Sequence, residues 1–279
     1  MIATLEAGAR ANRSAACRRG SIDSIEPPGR LVATGDLHDN PVHLARLIEA
    51  AGLEGSDPAH LTLHEVIHGD RLVSGLDMSY RVLTRVADLK ARHPEHVHTL
   101  LGNHELAQMM GHLIAKDGVR CVDAFNAGVE YVFGDAAEAV SRAVNEFIRS
   151  MPIALRVHTP RGDILCAHSL PPAAAMARFD TSILYRDLRE EDLIIRGTVH
   201  AMTWGRGYDA GGLEDLTERW GIWYFILGHE HTANGWKFVQ PNAVVLNSDH
   251  ENGVYLPIDL NNPPRPEEAG LRTVRLAGA

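Results

Sequence analysis

Four short apolar stretches of this 279-residue chain end alike, in a glycine followed by polar residues able to bind a cation. They are Gly35-Asp36-Leu37-His38, Gly69-Asp70, Gly102-Asn103-His104-Glu105 and Gly228-His229-Glu230-His231. A fifth, Leu165-Cys166-Ala167-His168, ends in histidine without the glycine. Glycine allows a sharp turn there and lets backbone approach a ligand. Together Asp36, His38, Asp70, Asn103, His168, His229 and His231 supply carboxylate, amide and imidazole donors and no thiolate. That mixture fits two divalent ions, Mn, Fe or Zn, better than a thiolate-rich structural zinc site. Asp70, alone after its stretch, is the natural carboxylate to bridge them. Two metals roughly 3.5–4 Å apart clamp both sides of an in-line displacement at phosphorus and acidify a water between them.

Each piece has a plainer reading on its own. Asp36-Leu37-His38 could be a turn aspartate beside a surface histidine, Asp70 a turn cap, Asn103 a left-handed turn residue and His168 a core histidine. The weight lies in five such endings in one chain, each in the same context. The chain has 16 histidines. Those outside the endings, among them His43, His60, His64, His93, His96, His98, His112, His158 and His200, are expected at the surface or around the site. His68 and His250 each flank an expected strand end.

The elements that must position these residues alternate in type. Arg30–Thr34 reads as a strand. Asn40-Pro41 opens a helix whose apolar stripe runs through Leu44, Leu47 and Ile48 and which Gly52 closes. Val66–Ile67 reads as the end of a second strand, before Gly69. A helix is expected from Tyr80 to Arg92 and a strand over Val97–Leu101. Helices are expected from His104 to Lys116 and from Ala136 to Met151. Ile153–His158 and Asp163–Ala167 read as a hairpin, with later strands at Trp223–Leu227, Ala243–Leu246 and Val254–Ile258. Alternating strand and helix, then hairpins, predicts a mixed α/β fold with helix-covered sheets. In open α/β sheets ligands bind beyond the carboxyl ends of strands, where all five endings would converge.

With 27 basic and 36 acidic residues the formal net charge is −9. That balance excludes an electrostatic grip on nucleic acid or an anionic membrane. It leaves phosphate chemistry open, because bound cations supply positive charge. The longest apolar run, Trp220 to Gly228, is too short to cross a bilayer. Three cysteines without paired spacing and no apolar leader predict a reduced, cytoplasmic setting. Residues 1–29 lack clear periodicity and are expected to form a mobile arm or irregular cover. Residues 30–260 are expected to be one domain and 261–279 a loop-like tail.

The five endings, read in order as GDLH, HGD, LGNHE, CAHS and GHEH, resemble the pattern of the calcineurin-like metallophosphoesterase superfamily. Its phosphoprotein phosphatase (serine/threonine phosphatase-like) branch is resembled by the GNHE form, by Glu146–Pro152, by Trp204-Gly205-Arg206-Gly207 and by Asn247-Ser248-Asp249 with Gly253-Val254-Tyr255. The likeness spans about residues 30–260. It implies a four-layer α/β/β/α sandwich of two mixed sheets with a dinuclear metal site at the strand ends. It implies that Asp36, His38 and His231 join bridging Asp70 at one metal, and that Asn103, His168 and His229 join it at the other. It implies His104 as the acid that protonates the leaving oxygen and Arg206 as a substrate-phosphate ligand, with Asn103 also near substrate. The branch carries GD-x-VDRG after its second strand. In Gly69-Asp70-Arg71-Leu72-Val73-Ser74-Gly75, Val73 and Ser74 stand where its aspartate and arginine would be, and Arg71 is the nearby charge left to meet phosphate.

The expectation is therefore a phosphoesterase that hydrolyses phosphomonoesters, phosphoserine or phosphothreonine in a protein included, by direct attack of a metal-bridging hydroxide. Alternatives on the same metals are a phosphodiester or a dinucleoside polyphosphate as substrate. An alternative of another class is a catalytically weakened phosphatase-like module that binds a phosphorylated partner. The sequence leaves the oligomeric state open.

Overall fold

The computed structural model describes residues 1–116 and 118–277. Its strands in chain order are β1 (Arg18–Arg19), β2 (Ile22–Ile25), β3 (Arg30–Thr34), β4 (His60–Leu63), β5 (Val97–Thr99), β6 (Ala115–Lys116), β7 (Val119–Arg120), β8 (Ala154–Val157), β9 (Asp163–Ala167), β10 (Ile222–Leu227), β11 (Trp236–Val239), β12 (Ala243–Leu246), β13 (Val254–Asp259) and β14 (Val274–Arg275). The α-helices before β8 are α1 (Ile2–Ser14), α2 (Pro41–Ala51), α3 (Tyr80–Arg92), α4 (Asn103–Met110), α5 (Cys121–Phe133) and α6 (Ala137–Arg149). One sheet has the order β1-β2-β8-β9-β10-β12-β11, the other β14-β13-β3-β4-β5. Both mix parallel and antiparallel pairs.

Side chains alternate across each strand, so a strand covered on both faces contributes to two cores. Leu31 and Ala33 of β3 join Leu155, Cys166, Tyr224, Ile226, Val244 and Leu256 in a cluster drawn from both sheets. Their neighbours Val32, Leu165, Phe225 and Val245 belong to a second cluster with Leu44, Leu47, Leu83, Val86 and Leu216 of the helices. Two sheets therefore face each other with helices outside, and the expected α/β/β/α layering is what the chain forms. The parallel set β3-β4-β5 and the parallel set β9-β10-β12 end at one rim. There Asp36 makes bridge pairings with both His64 and Asn247, joining the two sheets.

The helix α2 starts as the sequence predicts. The Asn40 side chain accepts from the His43 N–H, Pro41 follows, and Gly52 ends the helix at φ +60°. Helix α3 has the expected bounds. Two expectations shift. The second strand is His60–Leu63, not a stretch ending at Val66–Ile67, and α4 ends at Met110 rather than continuing to Lys116. Gly111 takes φ +67° there, an ordinary helix stop.

Residues 1–29 are not a mobile arm. Helix α1 packs on α3 and α6, and β2 pairs in parallel with β8 inside the larger sheet. The buried face of α1 is Leu5, Gly8, Ala9 and Asn12, too small and mixed to show as an apolar stripe in the letters. Gly8 lies so close to α3 that a Cβ there would fall 2.8 Å from the Ala87 carbonyl oxygen. The tail after residue 261 also contributes structure: a short helix Ala269–Arg272 and strand β14, which pairs with β13.

Asp23 on β2 locks this N-terminal segment. It is buried, with Arg18 Nε and His98 Nδ1 each at 2.8 Å and Lys90 Nζ at 3.9 Å. Burial alone would raise its carboxyl, but His98, Arg18 and Lys90 outweigh that and hold it well below the usual carboxylate range. Asp23→Asn is expected to cost about 3–5 kcal/mol at pH 7, because it leaves buried cations without their counter-charge. A depressed folded-state carboxyl contributes stability above its unfolded value, near 4, and loses it as pH falls toward the folded value. Urea unfolding should therefore show the two proteins converging in acid. A gap that stays constant down to low pH would assign the loss to packing instead.

A candidate metal centre at the strand ends

Three of the site residues stand two positions beyond a strand: Asp36 after β3, Glu65 after β4 and His229 after β10. His168 directly follows β9, and Asn103 opens α4 just beyond β5. Sharp turns bring them inward. His38, Glu65, His68 and His229 all hold positive φ, between 40° and 69°, although none is glycine. Such backbone is costly and gathers at functional sites. The glycines are required by crowding. A Cβ on Gly228 would lie 2.4 Å from Asp36 Oδ1 and from the His64 ring, and one on Gly102 would lie 1.9 Å from Glu65 Oε2.

Two neighbouring groups of donor atoms result, Asp36-His64-His168 and His38-Glu65-His104. Asp36 accepts from the His229 backbone N–H with both oxygens, at 2.9 and 3.0 Å. Its Oδ1 lies 3.4 Å from His168 Nδ1. Glu65 reaches the other way, Oε2 at 3.6 Å from His168 Nε2 and Oε1 at 3.6 Å from His104 Nε2. Asn103 Oδ1 and His229 Nδ1 stand 2.8 and 3.0 Å from His168 Nε2.

The hydrogen bonds decide which ring nitrogens are bare. His38 Nδ1 faces the Ile67 carbonyl at 3.1 Å, so Nδ1 carries the proton and Nε2 is a lone pair. His64 Nε2 donates to the Thr34 carbonyl at 2.9 Å, which leaves its Nδ1 bare. His168 Nδ1, 3.1 Å away, then donates to it, and His168 Nε2 becomes a bare acceptor. That acceptor faces another, Asn103 Oδ1, at 2.8 Å. Acceptors meeting so closely mark a place for a shared cation. Asp36, His38, Glu65, Asn103, His168 and His229 thus offer oxygen and imidazole nitrogen, the donor set that divalent Mn, Fe or Zn takes.

The electrostatics agree. Burial would raise Asp36, but His168, His64 and His38 reverse that and hold it far below the usual range. Glu65 goes the opposite way, raised by burial and then by Glu105 and Asp36. Glu105 is buried with Oε1 accepting from the Val66 and Ile67 N–H groups, while its Oε2 has no hydrogen-bond partner among the described residues. Burial lowers His64 and His68 to about 4 and His229, also beside His168 and Arg206, to about 2. His104 falls well below the ordinary value by burial and by His38 and His68. The pocket therefore gathers buried carboxylates and neutral imidazoles, which suits incoming cations.

Of the residues singled out in the sequence, the structure brings Asp36, His38, Asn103, His104, His168 and His229 together. It does not bring Asp70. That side chain is 69% exposed and pairs with Lys116 Nζ at 2.9 Å. With β4 ending at Leu63, Asp70 comes five positions too late, and Glu65 occupies the place expected of it. His231 is exposed against the His250 ring, 5.1 Å between centroids, and is not among the grouped donor atoms. Arg206 and Arg71 lie at the rim: Arg206 Nη1 donates to the His229 carbonyl at 3.0 Å, and Arg71 donates to the Asp39 carbonyl. Val73 and Ser74 sit in an exposed turn. The letters give no site role to His64 or Glu65, mark His68 only as flanking an expected strand end, and leave Glu105 between orienting a ligand and ordinary polar rim. A signal existed: Leu61 and Leu63 alternate as Val32 does in β3, and Glu65 follows that strand by the same two positions as Asp36. In the family spacing GD-x-VDRG two acidic positions stand three apart; Glu65 and His68 stand three apart here.

The calcineurin-like phosphoesterase family profile matches residues 29–233. No curated protein matches the sequence. Among solved structures the fold is similar to a protein serine/threonine phosphatase from Saccharomyces cerevisiae, at TM-score 0.64 and 16% identity, covering 92% of this chain and 81% of that one. It is also similar to a cold-active protein-tyrosine phosphatase from a psychrophilic Shewanella, at TM-score 0.60 and 14% identity, covering 85% and 77%.

Proposed function

Given that the chain belongs to the calcineurin-like phosphoesterase family, we propose that it hydrolyses phosphomonoesters with two divalent ions, Mn, Fe or Zn, held at the strand ends. The observation that carries this is the meeting of bare acceptors, Asn103 Oδ1 against His168 Nε2 at 2.8 Å, between two buried carboxylates. Asp36, His38 and Glu65 would hold one ion, and Glu65, Asn103, His168 and His229 the other. Glu65 faces both groups and would be the residue shared between the ions. When bound, such ions acidify a water and neutralise charge on phosphoryl oxygens.

The chain's own residues do the rest. His104, on the first turn of α4, has its Nε2 on the cluster side and protonates the departing oxygen. Its backbone N–H, 3.3 Å from both Glu65 oxygens, helps to hold that carboxylate. Arg206 spends one N–H on the His229 carbonyl and keeps the others for a substrate phosphate, as does Arg71 from the Asp39 side. The phosphatase names of the similar structures support a phosphorylated substrate, protein or small molecule.

The test is turnover of p-nitrophenyl phosphate after chelation and reloading with Mn, Fe or Zn, beside bis-p-nitrophenyl phosphate. The monoester should be hydrolysed faster. Preference for the diester supports the phosphodiesterase alternative, and loaded protein inert toward both sinks the enzyme reading in favour of a binding module. Arg206→Ala is expected to raise KM for the monoester about tenfold, the size of one lost charge-assisted contact. Unchanged KM and kcat would return Arg206 to a loop-anchoring role.

A further inference from the structure

Glu230 stands between the two histidines of Gly228-His229-Glu230-His231 and is not among the grouped donor atoms. Its side chain turns to the loop that carries Arg206. Oε1 accepts from the Gly207 backbone N–H at 2.9 Å, and Oε2 accepts from Lys237 Nζ of β11 at 2.6 Å. One residue earlier in the loop, Arg206 Nη1 donates to the His229 carbonyl at 3.0 Å. Residues 206–207 and 229–230 are thus tied side chain to backbone in both directions. The near end of the loop is fixed separately. Gly205 N–H donates to Ser169 Oγ at 3.0 Å, and the Tyr208 hydroxyl donates to the Gly205 carbonyl at 2.9 Å. A Cβ on Gly205 would lie 1.6 Å from the Leu170 carbonyl oxygen. Gly207, at φ +69° with open space around its Cα, has no such packing, and Glu230 is what holds it.

The charge balance is as informative as the contacts. A carboxylate beside an arginine normally takes its paired N–H groups, which are the groups a phosphate needs. Among the described residues, however, Arg206 pairs with no carboxylate. Lys237 supplies the reason. With one Glu230 oxygen on the ammonium and the other on the Gly207 N–H, neither turns to the guanidinium. The Glu230 side chain is only 14% exposed, so solvent and salt screen this balance weakly.

Resting on the reading of Arg206 as a phosphate ligand, we infer that Glu230 is its positioning residue and that Lys237 keeps Glu230 from competing with phosphate for it. Glu230 pins the Gly207 end of the loop, so the guanidinium holds its place at the rim with N–H groups to spare. The ligand served is a phosphate dianion, the form a monoester presents and a diester does not. Neither Glu230 nor Lys237 touches a reacting atom.

The test is KM for p-nitrophenyl phosphate, with inorganic phosphate as a competing ligand, in variants brought to equal metal content. Glu230→Gln keeps an oxygen for the Gly207 N–H and loses the charge, so its KM should stay at or below the parent's. Glu230→Ala loses the acceptor as well. Its KM should exceed that of Glu230→Gln about three- to tenfold, with kcat changing less. Lys237→Met frees the carboxylate to take Arg206 and should raise KM by a similar factor, and adding Glu230→Gln should reverse that rise. The inhibition constant of inorganic phosphate should follow KM in each variant. A merely structural loss would not be repaired by a second substitution. Equal KM for Glu230→Ala and Glu230→Gln would overturn the inference. So would a Lys237→Met protein with the parent's KM, or one whose defect survives Glu230→Gln. Arg206→Ala separates the failures. If that variant keeps the parent's KM, the phosphate role of Arg206 falls and takes this inference with it. If it raises KM, and Glu230→Ala raises it again by the same factor in that background, Glu230 acts elsewhere and only the positioning role is lost.

Discussion

Glu65→Gln is expected to abolish turnover of p-nitrophenyl phosphate and lower the bound-metal content, while Asp70→Asn leaves both within about twofold of the parent. The two carboxylates differ in everything but charge. Glu65 is buried, reaches His168 on one side and His104 on the other, and among the described residues has no lysine or arginine partner. Asp70 is a surface group paired with Lys116, and exposed pairs of that kind contribute about 0–1 kcal/mol. A bridging carboxylate that holds two cations underwrites several kcal/mol of transition-state stabilisation. At 1.36 kcal/mol per tenfold, that is about a thousandfold in rate. Metal analysis beside steady-state rates decides the matter. A metal-replete, active Glu65→Gln protein beside an inert Asp70→Asn protein would return the bridge to Asp70 and would mean that β4 carries the wrong residues to the rim.

The second large effect is expected at His104. His104→Ala should keep the metals and lose about 10²–10⁴-fold toward an alkyl phosphate, the usual contribution of a positioned acid. Toward p-nitrophenyl phosphate the loss should be much smaller, because that leaving group departs without a proton. The reason is geometric: the imidazole lies beside the cluster, its ring centroid 5.0 Å from that of His38, and its Nε2 is on the cluster side. Loss of metal in His104→Ala would make the residue a ligand instead, and an equal loss on both esters would make it a structural support.

Much of the site is written locally. Asp36-Leu37-His38, Asn103-His104 and His229 each follow a strand whose apolar letters are plain, with a glycine that crowding at the centre demands. The errors share a cause. His60–Leu63 is a four-residue strand with a histidine at one end and a threonine inside, so it hardly stands out, whereas Gly69-Asp70 looks like the expected ending. Choosing that pair moved the strand by several positions and exchanged a buried carboxylate for an exposed one. His231, two positions after His229, lies exposed beside the His250 ring, which the letters of a His-x-His pair do not show. Helix α1 was missed because close packing on α3 requires glycine and alanine on its inner face, which removes the apolar stripe that marks a helix.

The letters alone determined the α/β class, most strand ends and six of the residues that gather there, because those features depend on periodicity and on neighbours a few positions away. Tertiary structure decided the rest: that Glu65 and not Asp70 faces the cluster, that His64 sets which nitrogen of His168 is bare, and that the N-terminal segment completes a sheet. Each of those outcomes depends on groups dozens of residues apart sharing one desolvated volume, where a proton or a charge has a single tolerable place.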